Sequence, residues 1–135
     1  MKCKVIPTTW DPCSCESEGY VDVYLPKYDL NLRCEYFADS RIVKEFPIGT
    51  ECSAELYVND VSAFGTDKRS CFVTSTSLVG KYIGQSKDEC NDDIYLVDSL
   101  FEVKLYKDDW KQGKVPDPGS WVEVSADPIF GIWFD

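Results

Sequence analysis

Apolar and polar side chains alternate along much of this chain. The clearest run covers residues 100–106, where Phe101, Val103 and Leu105 fall on one side and Glu102, Lys104 and Tyr106 on the other. In an extended backbone successive side chains point to opposite faces, so the run predicts a strand with one buried and one wet face. The pattern recurs at residues 20–37. There Val21, Val23 and Leu25 alternate with Tyr20, Asp22 and Tyr24, and Leu32, Cys34 and Tyr36 alternate with Arg33, Glu35 and Phe37. Pro26 interrupts this region; it lacks an N–H and suits a bend or an edge. Further on, Cys52, Ala54, Leu56 and Val58 should face inward, with Ser53, Glu55 and Tyr57 outward.

Two more regions follow, at 71–84 and 94–106, and residues 119–134 close the chain. The first of these is broken by Ser75-Thr76-Ser77. Residues 1–19 carry Pro7, Pro12, Gly19 and three cysteines, which predicts an irregular segment beginning with a short strand near residues 2–6. Helical signals are weak. Asp39 and Ser40 suit the start of one turn ended by Pro47, and residues 108–112 suit another.

Five long, bent strand regions, 20–37, 49–61, 71–84, 94–106 and 119–134, are not separated by long helices. That spacing argues for antiparallel pairing and a closed or nearly closed sheet. The expected fold is therefore all-β and mainly antiparallel: a small closed or partly open barrel, with a β-sandwich as the alternative and at most one or two short helical turns. The arrangement resembles an OB-fold barrel. The resemblance is one of fold, covers most of the chain and rests on no specific motif. With 135 residues, the expectation is a single β-domain, residues 1–19 as its irregular arm and 20–135 as the barrel. The 14% of aromatic residues against a single Met also favours pleated surfaces.

Charge narrows the partners. Acids outnumber bases 24 to 14, for a net charge of −10. Such a field repels nucleic acid and anionic membrane surfaces, both of which are bound largely through Lys and Arg. No apolar run approaches the roughly 18 residues of a membrane span. Met1-Lys2-Cys3-Lys4-Val5-Ile6 is not followed by the apolar stretch of a signal peptide, because Pro7, Thr8 and Thr9 break it. The expected location is the cytoplasm.

Histidine is absent. That removes the commonest general base, the Ser-His and Cys-His nucleophile pairs and the commonest metal ligand. No glycine-rich phosphate loop precedes a helix. The carboxylates of Glu16, Glu18, Asp108 and Asp109 read as solvated loop charges, so no catalytic residue is assigned and an enzyme is not expected. Residues 87–93 are dense in carboxylates but fit no register of an EF-hand calcium loop.

The seven cysteines are an odd number, so one stays unpaired in any disulfide scheme. Cys34, Cys52 and Cys71 suit buried small apolar positions. Cys3, Cys13 and Cys15 lie close in sequence in irregular chain and are candidate zinc ligands, although the usual zinc signal is two close pairs rather than one. No other cofactor is implied.

Tyr24, Tyr57, Phe72, Tyr106 and Trp121 fall on outward positions among Arg33, Glu55, Lys104 and Glu123. The functional expectation is a non-enzymatic binding module, with Tyr57, Tyr106, Trp110 and Trp121 as its contact residues and a protein rather than a nucleic acid as its partner. The alternatives are an OB-like binder of single-stranded nucleic acid, stacking bases on these rings, and an acidic mimic of nucleic acid that occupies a basic protein. Ordinary cross-strand pairing of rings and charges accounts for the same residues without any ligand.

Overall fold

The computed structural model describes residues 1–6, 18–37, 49 and 51–134. The structure is mostly strand, with helical backbone among the described residues limited to single 3-10 turns at Pro26–Tyr28, Lys107–Asp109 and Lys111–Gly113. No helix of the described residues is long and apolar enough to cross a membrane. The chain divides into two compact units, Met1–Tyr57 with Phe130–Asp135, and Val58–Ile129.

The first unit is a closed five-stranded barrel. Its strands are β1 (Lys2–Val5), β2 (Glu18–Leu25), β3 (Leu30–Phe37), β4 (Glu51–Val58) and, far along the chain, β11 (Phe130–Phe134). Around the barrel they run β1-β2-β3-β11-β4, and β4 pairs back onto β1. The β3/β11 pair is parallel; β1/β2, β2/β3 and β1/β4 are antiparallel. Numbered within the barrel, the order is 1-2-3-5-4 with the third and fifth strands parallel, which is the connectivity of an OB-like barrel.

Alternation decides what fills it. Val21, Val23 and Leu25 of β2, Leu32, Cys34 and Tyr36 of β3, Phe130 and Ile132 of β11, Ala54 of β4, and Cys3 and Val5 of β1 are buried. The bend at Pro26 is the expected one. The proline starts a 3-10 turn, and Asp29 adopts left-handed backbone at φ 48° as the chain reverses into β3. Register then runs unbroken from Leu25↔Leu30 to Glu18↔Phe37.

The second unit is a six-stranded sheet. It comprises β5 (Ser62–Gly65), β6 (Phe72–Val73), β7 (Ser77–Lys87), β8 (Asp93–Asp98), β9 (Glu102–Leu105) and β10 (Trp121–Ser125). Its order is β5-β10-β7-β8-β9, with β6 also pairing β7. The 11-residue β7 is the spine. One edge of it meets β10; the other meets β6 at Leu78 and Val79 and β8 from Lys81 onward. A register shift between Tyr82 and Gly84 turns Ile83 out of the pleat, and Gly84 takes φ 137°, open to glycine at no steric cost. The Ser75-Thr76-Ser77 interruption is the β6–β7 turn, held by the Thr74 hydroxyl accepting from the amides of Thr76 and Ser77. Leu78, Tyr82, Val97, Val103, Leu105, Val122 and Val124 are buried in this unit.

All-β architecture with a small closed barrel is what the alternation predicts; the allotment of strands is not. The barrel does not use the five regions of 20–134. It takes both halves of 20–37 as separate strands, adds β1 and β11, and leaves regions 71–84 and 94–106 to the sheet. Alternation reports which face a side chain takes and carries no information on which strand lies beside it. Smaller corrections follow the same logic. Phe101 sits in the bend before β9 and is half-buried, as is Leu56, and Cys71 is exposed just before β6. The helical turn expected near Asp39 lies outside the described residues.

Val103 is buried on β9, opposite Val97. Val103→Asp places an unpaired carboxylate there and should lower stability by about 3 kcal/mol or more. Urea denaturation followed by circular dichroism measures it, and a midpoint equal to the parent's would refute the assignment of faces.

Candidate binding surfaces

The outer face of the barrel carries the exposed rings Tyr20, Tyr57 and Trp133. Outward positions include Tyr20 and Asp22 on β2, Arg33 and Glu35 on β3, Glu55 and Tyr57 on β4, and Gly131 and Trp133 on β11. Tyr20 lies directly across from Glu35, and Glu35 is in register with Gly131. A Cβ built on Gly131 would collide with the ring of Tyr57, so that ring lies over the glycine backbone. The pairing covers a strand glycine with an aromatic ring. Trp133 is two residues further along the same face of β11. Tyr20, Tyr57 and Trp133 are 45%, 39% and 62% exposed. Burial against the barrel, with Glu35 and Cys34 adding, holds the Tyr57 phenol above its ordinary pKa, so it stays a neutral donor at physiological pH. Asp22 and Arg33 form a two-point ion pair beside this patch, at 3.0 and 3.3 Å.

Of the four ring positions expected to make contacts, Tyr57 belongs to this barrel face, and Tyr106, Trp110 and Trp121 belong to the sheet unit. Trp110 is only 2% exposed. It packs edge-on against Tyr82 and Tyr95, with centroids 5.5 and 6.1 Å away, so it serves the core and offers no surface contact. The loop position that suggested exposure is overridden by two flanking 3-10 turns. In the first of them the Tyr106 amide donates to the Asp109 carboxylate at 2.7 Å, fixing the backbone that turns the indole inward. Burial raises the Asp109 pKa, an effect opposed by that hydrogen bond. Tyr106 is exposed, and its hydroxyl donates to Asp88 at 3.4 Å.

Trp121 is half-buried and floors a shallow groove of about 350 Å³ with Gly65, Thr66, Arg69, Pro116, Gly119 and Ser120. Its ring already holds a cation: Lys81 Nζ sits 5.3 Å from the ring centroid. Lys68 lies likewise over Phe72 and Lys111 over Phe64, at 5.6 and 5.9 Å. The rings of the sheet are thus paired with the chain's own lysines across neighbouring elements, as cross-strand pairing predicts. Phe64, Tyr20 and Trp133 were not singled out from the sequence. The signal for Trp133 is its alternation with Ile132.

Of the candidate zinc ligands, Cys13 and Cys15 lie outside the described residues. Cys3 points into the barrel, fully buried, with its Sγ 3.5 Å from Cys52 Sγ.

No family model, curated protein or solved structure matches this chain.

The Tyr57–Gly131 contact can be measured. Gly131→Ala should cost about 1 kcal/mol or more by forcing the ring away. In a Tyr57→Ala background the same change should be close to neutral. Thermal melts of the four proteins give the coupling; equal costs in both backgrounds would show that the ring does not lie on the glycine.

Proposed function

We propose that this protein is a non-enzymatic interaction module that holds a segment of a partner protein against the outer face of its barrel. The observation that carries this reading is the set of three exposed rings, Tyr20, Tyr57 and Trp133, grouped around the flat backbone of Gly131. Large aromatic anchors on a rigid strand surface lose little conformational entropy on binding and dominate the energetics of protein interfaces. The charges flanking them, Glu35, Glu55 and the paired Asp22, suit a partner of neutral or basic character. The setting that goes with this reading is the cytoplasm, where thiols are reduced at rest.

A second reading is supported by the 1-2-3-5-4 strand order. OB-like barrels bind oligonucleotides on the face of their second and third strands. Here that face presents Tyr20, Asp22, Tyr24, Asn31, Arg33 and Glu35. Its single arginine is paired to Asp22, and among the described residues no row of cations lies along it to track a phosphate backbone.

One experiment separates the two. Wild-type protein and the Tyr20→Ser and Trp133→Ser variants, each checked for an unchanged melt, are cross-linked in native lysate and titrated with a single-stranded oligonucleotide at low salt. The expected result is a defined protein partner whose recovery falls about 10-fold or more in Trp133→Ser, with a flat oligonucleotide titration. Recovery indifferent to both variants, or salt-dependent oligonucleotide binding, would overturn it.

A further inference from the structure

The barrel is closed by its shortest strand. β1 contributes four residues, and its seam with β4 pairs Lys2 with Ser53, Cys3 with Cys52 and Lys4 with Glu51. At the end of the seam the Met1 amine donates to the Ala54 carbonyl and the Ala54 amide donates to the Met1 carbonyl, both at 2.8 Å. Cys3 and Cys52 are therefore directly opposite on antiparallel strands, both on the inward side, with their sulfurs 3.5 Å apart. Directly opposed residues have Cα atoms about 4.5–5.5 Å apart, inside the span of about 4.4–6.8 Å that a disulfide bridges. Rotation of the two side chains brings the sulfurs to bonding distance with the backbone in place.

We propose that Cys3 and Cys52 form an oxidation site, at which a low-molecular-weight disulfide such as oxidised glutathione converts the two thiols to a bond that staples β1 to β4. Cys52 is half-buried and Cys3 is fully buried, so Cys52 meets the oxidant first. Its thiolate attacks one sulfur of the oxidant, breaking that S–S bond and releasing one glutathione, which takes up the Cys52 proton. Cys3 then attacks the Cys52 sulfur of the mixed disulfide, breaking that bond, and its proton leaves with the second glutathione. Two thiols lose two electrons and two protons; the oxidant gains both.

A third thiol, Cys34, lies in the same interior and is not the attacking group. Cys34 sits on β3, which lies between β2 and β11, so no register brings it opposite Cys52; burial, with neighbouring Cys3 and Asp22 adding, also pushes its thiol up to about 12. The site uses none of the residues of the outer aromatic face.

The test uses the full chain carrying Cys71→Ser and Cys90→Ser, two exposed positions whose removal limits links between molecules. Dilute protein is incubated with oxidised glutathione, alkylated, digested without reductant and mapped by mass spectrometry, and its melt is recorded before and after. The expected result is a peptide joining Cys3 to Cys52 and a Tm raised by about 5–15 °C, as closing a long loop predicts, both reversed by reductant. Cys52→Ser should show neither the peptide nor the shift, and Cys34→Ala should keep both. A stable mixed disulfide on Cys52, links from Cys3 to any other cysteine, or no reaction of either thiol in the parent protein would overturn the proposal.

Discussion

The barrel exists because β11 returns to the gap between β3 and β4. Without it, those two strands would each present a row of unpaired N–H and C=O groups, a strand edge open to other chains. The returning strand lies parallel to β3, with Gly131 in register with Glu35, and brings Phe130 and Ile132 into the interior. The joint demands a residue without a side chain at 131, because the Tyr57 ring occupies that space. Closure, core filling and the exposed Trp133 therefore meet on one five-residue strand.

The 72-residue unit 58–129 separates β4 from β11 along the chain. Loop-closure cost grows only slowly with length, and the ends of the insert are joined where the Asn59 amide donates to the Ile129 carbonyl at 3.0 Å. Within it, β7 organises everything. It pairs β10 along one side and β6 and β8 in succession along the other, and the bulge at Ile83 lets β8 follow the twist. Ser99 ties the far corner, its hydroxyl donating to the Val79 carbonyl at 2.6 Å. Phe72, Trp121 and Phe64 of this unit are covered by Lys68, Lys81 and Lys111, and Tyr106 stands beside Asp88.

How much of the candidate site was legible differs residue by residue. The outward position of Tyr57 and the inward position of Cys34 follow from alternation within one strand, and the structure agrees. Trp110 was misjudged because a loop between polar residues predicts exposure, while two consecutive 3-10 turns roll its indole against Tyr82 and Tyr95. The partnership of Cys3 with Cys52 was hidden for another reason. The two are 49 positions apart, and Cys3 had its nearest sequence neighbours in Cys13 and Cys15. Proximity along a chain says little about proximity across a sheet.

The chain's own pattern determined that it is built of strands, which way most strand side chains face, where Pro26 bends it, and that it carries a net charge of −10 without histidine. Those are local properties: a period of two and the chemistry of single residues suffice for them. Strand order, the parallel β3/β11 joint, the division into barrel and sheet, and the meeting of Tyr57 with Gly131 and of Cys3 with Cys52 were decided only in three dimensions. Each depends on hydrogen bonds between segments tens of residues apart, and such pairing leaves no periodic trace in a single sequence.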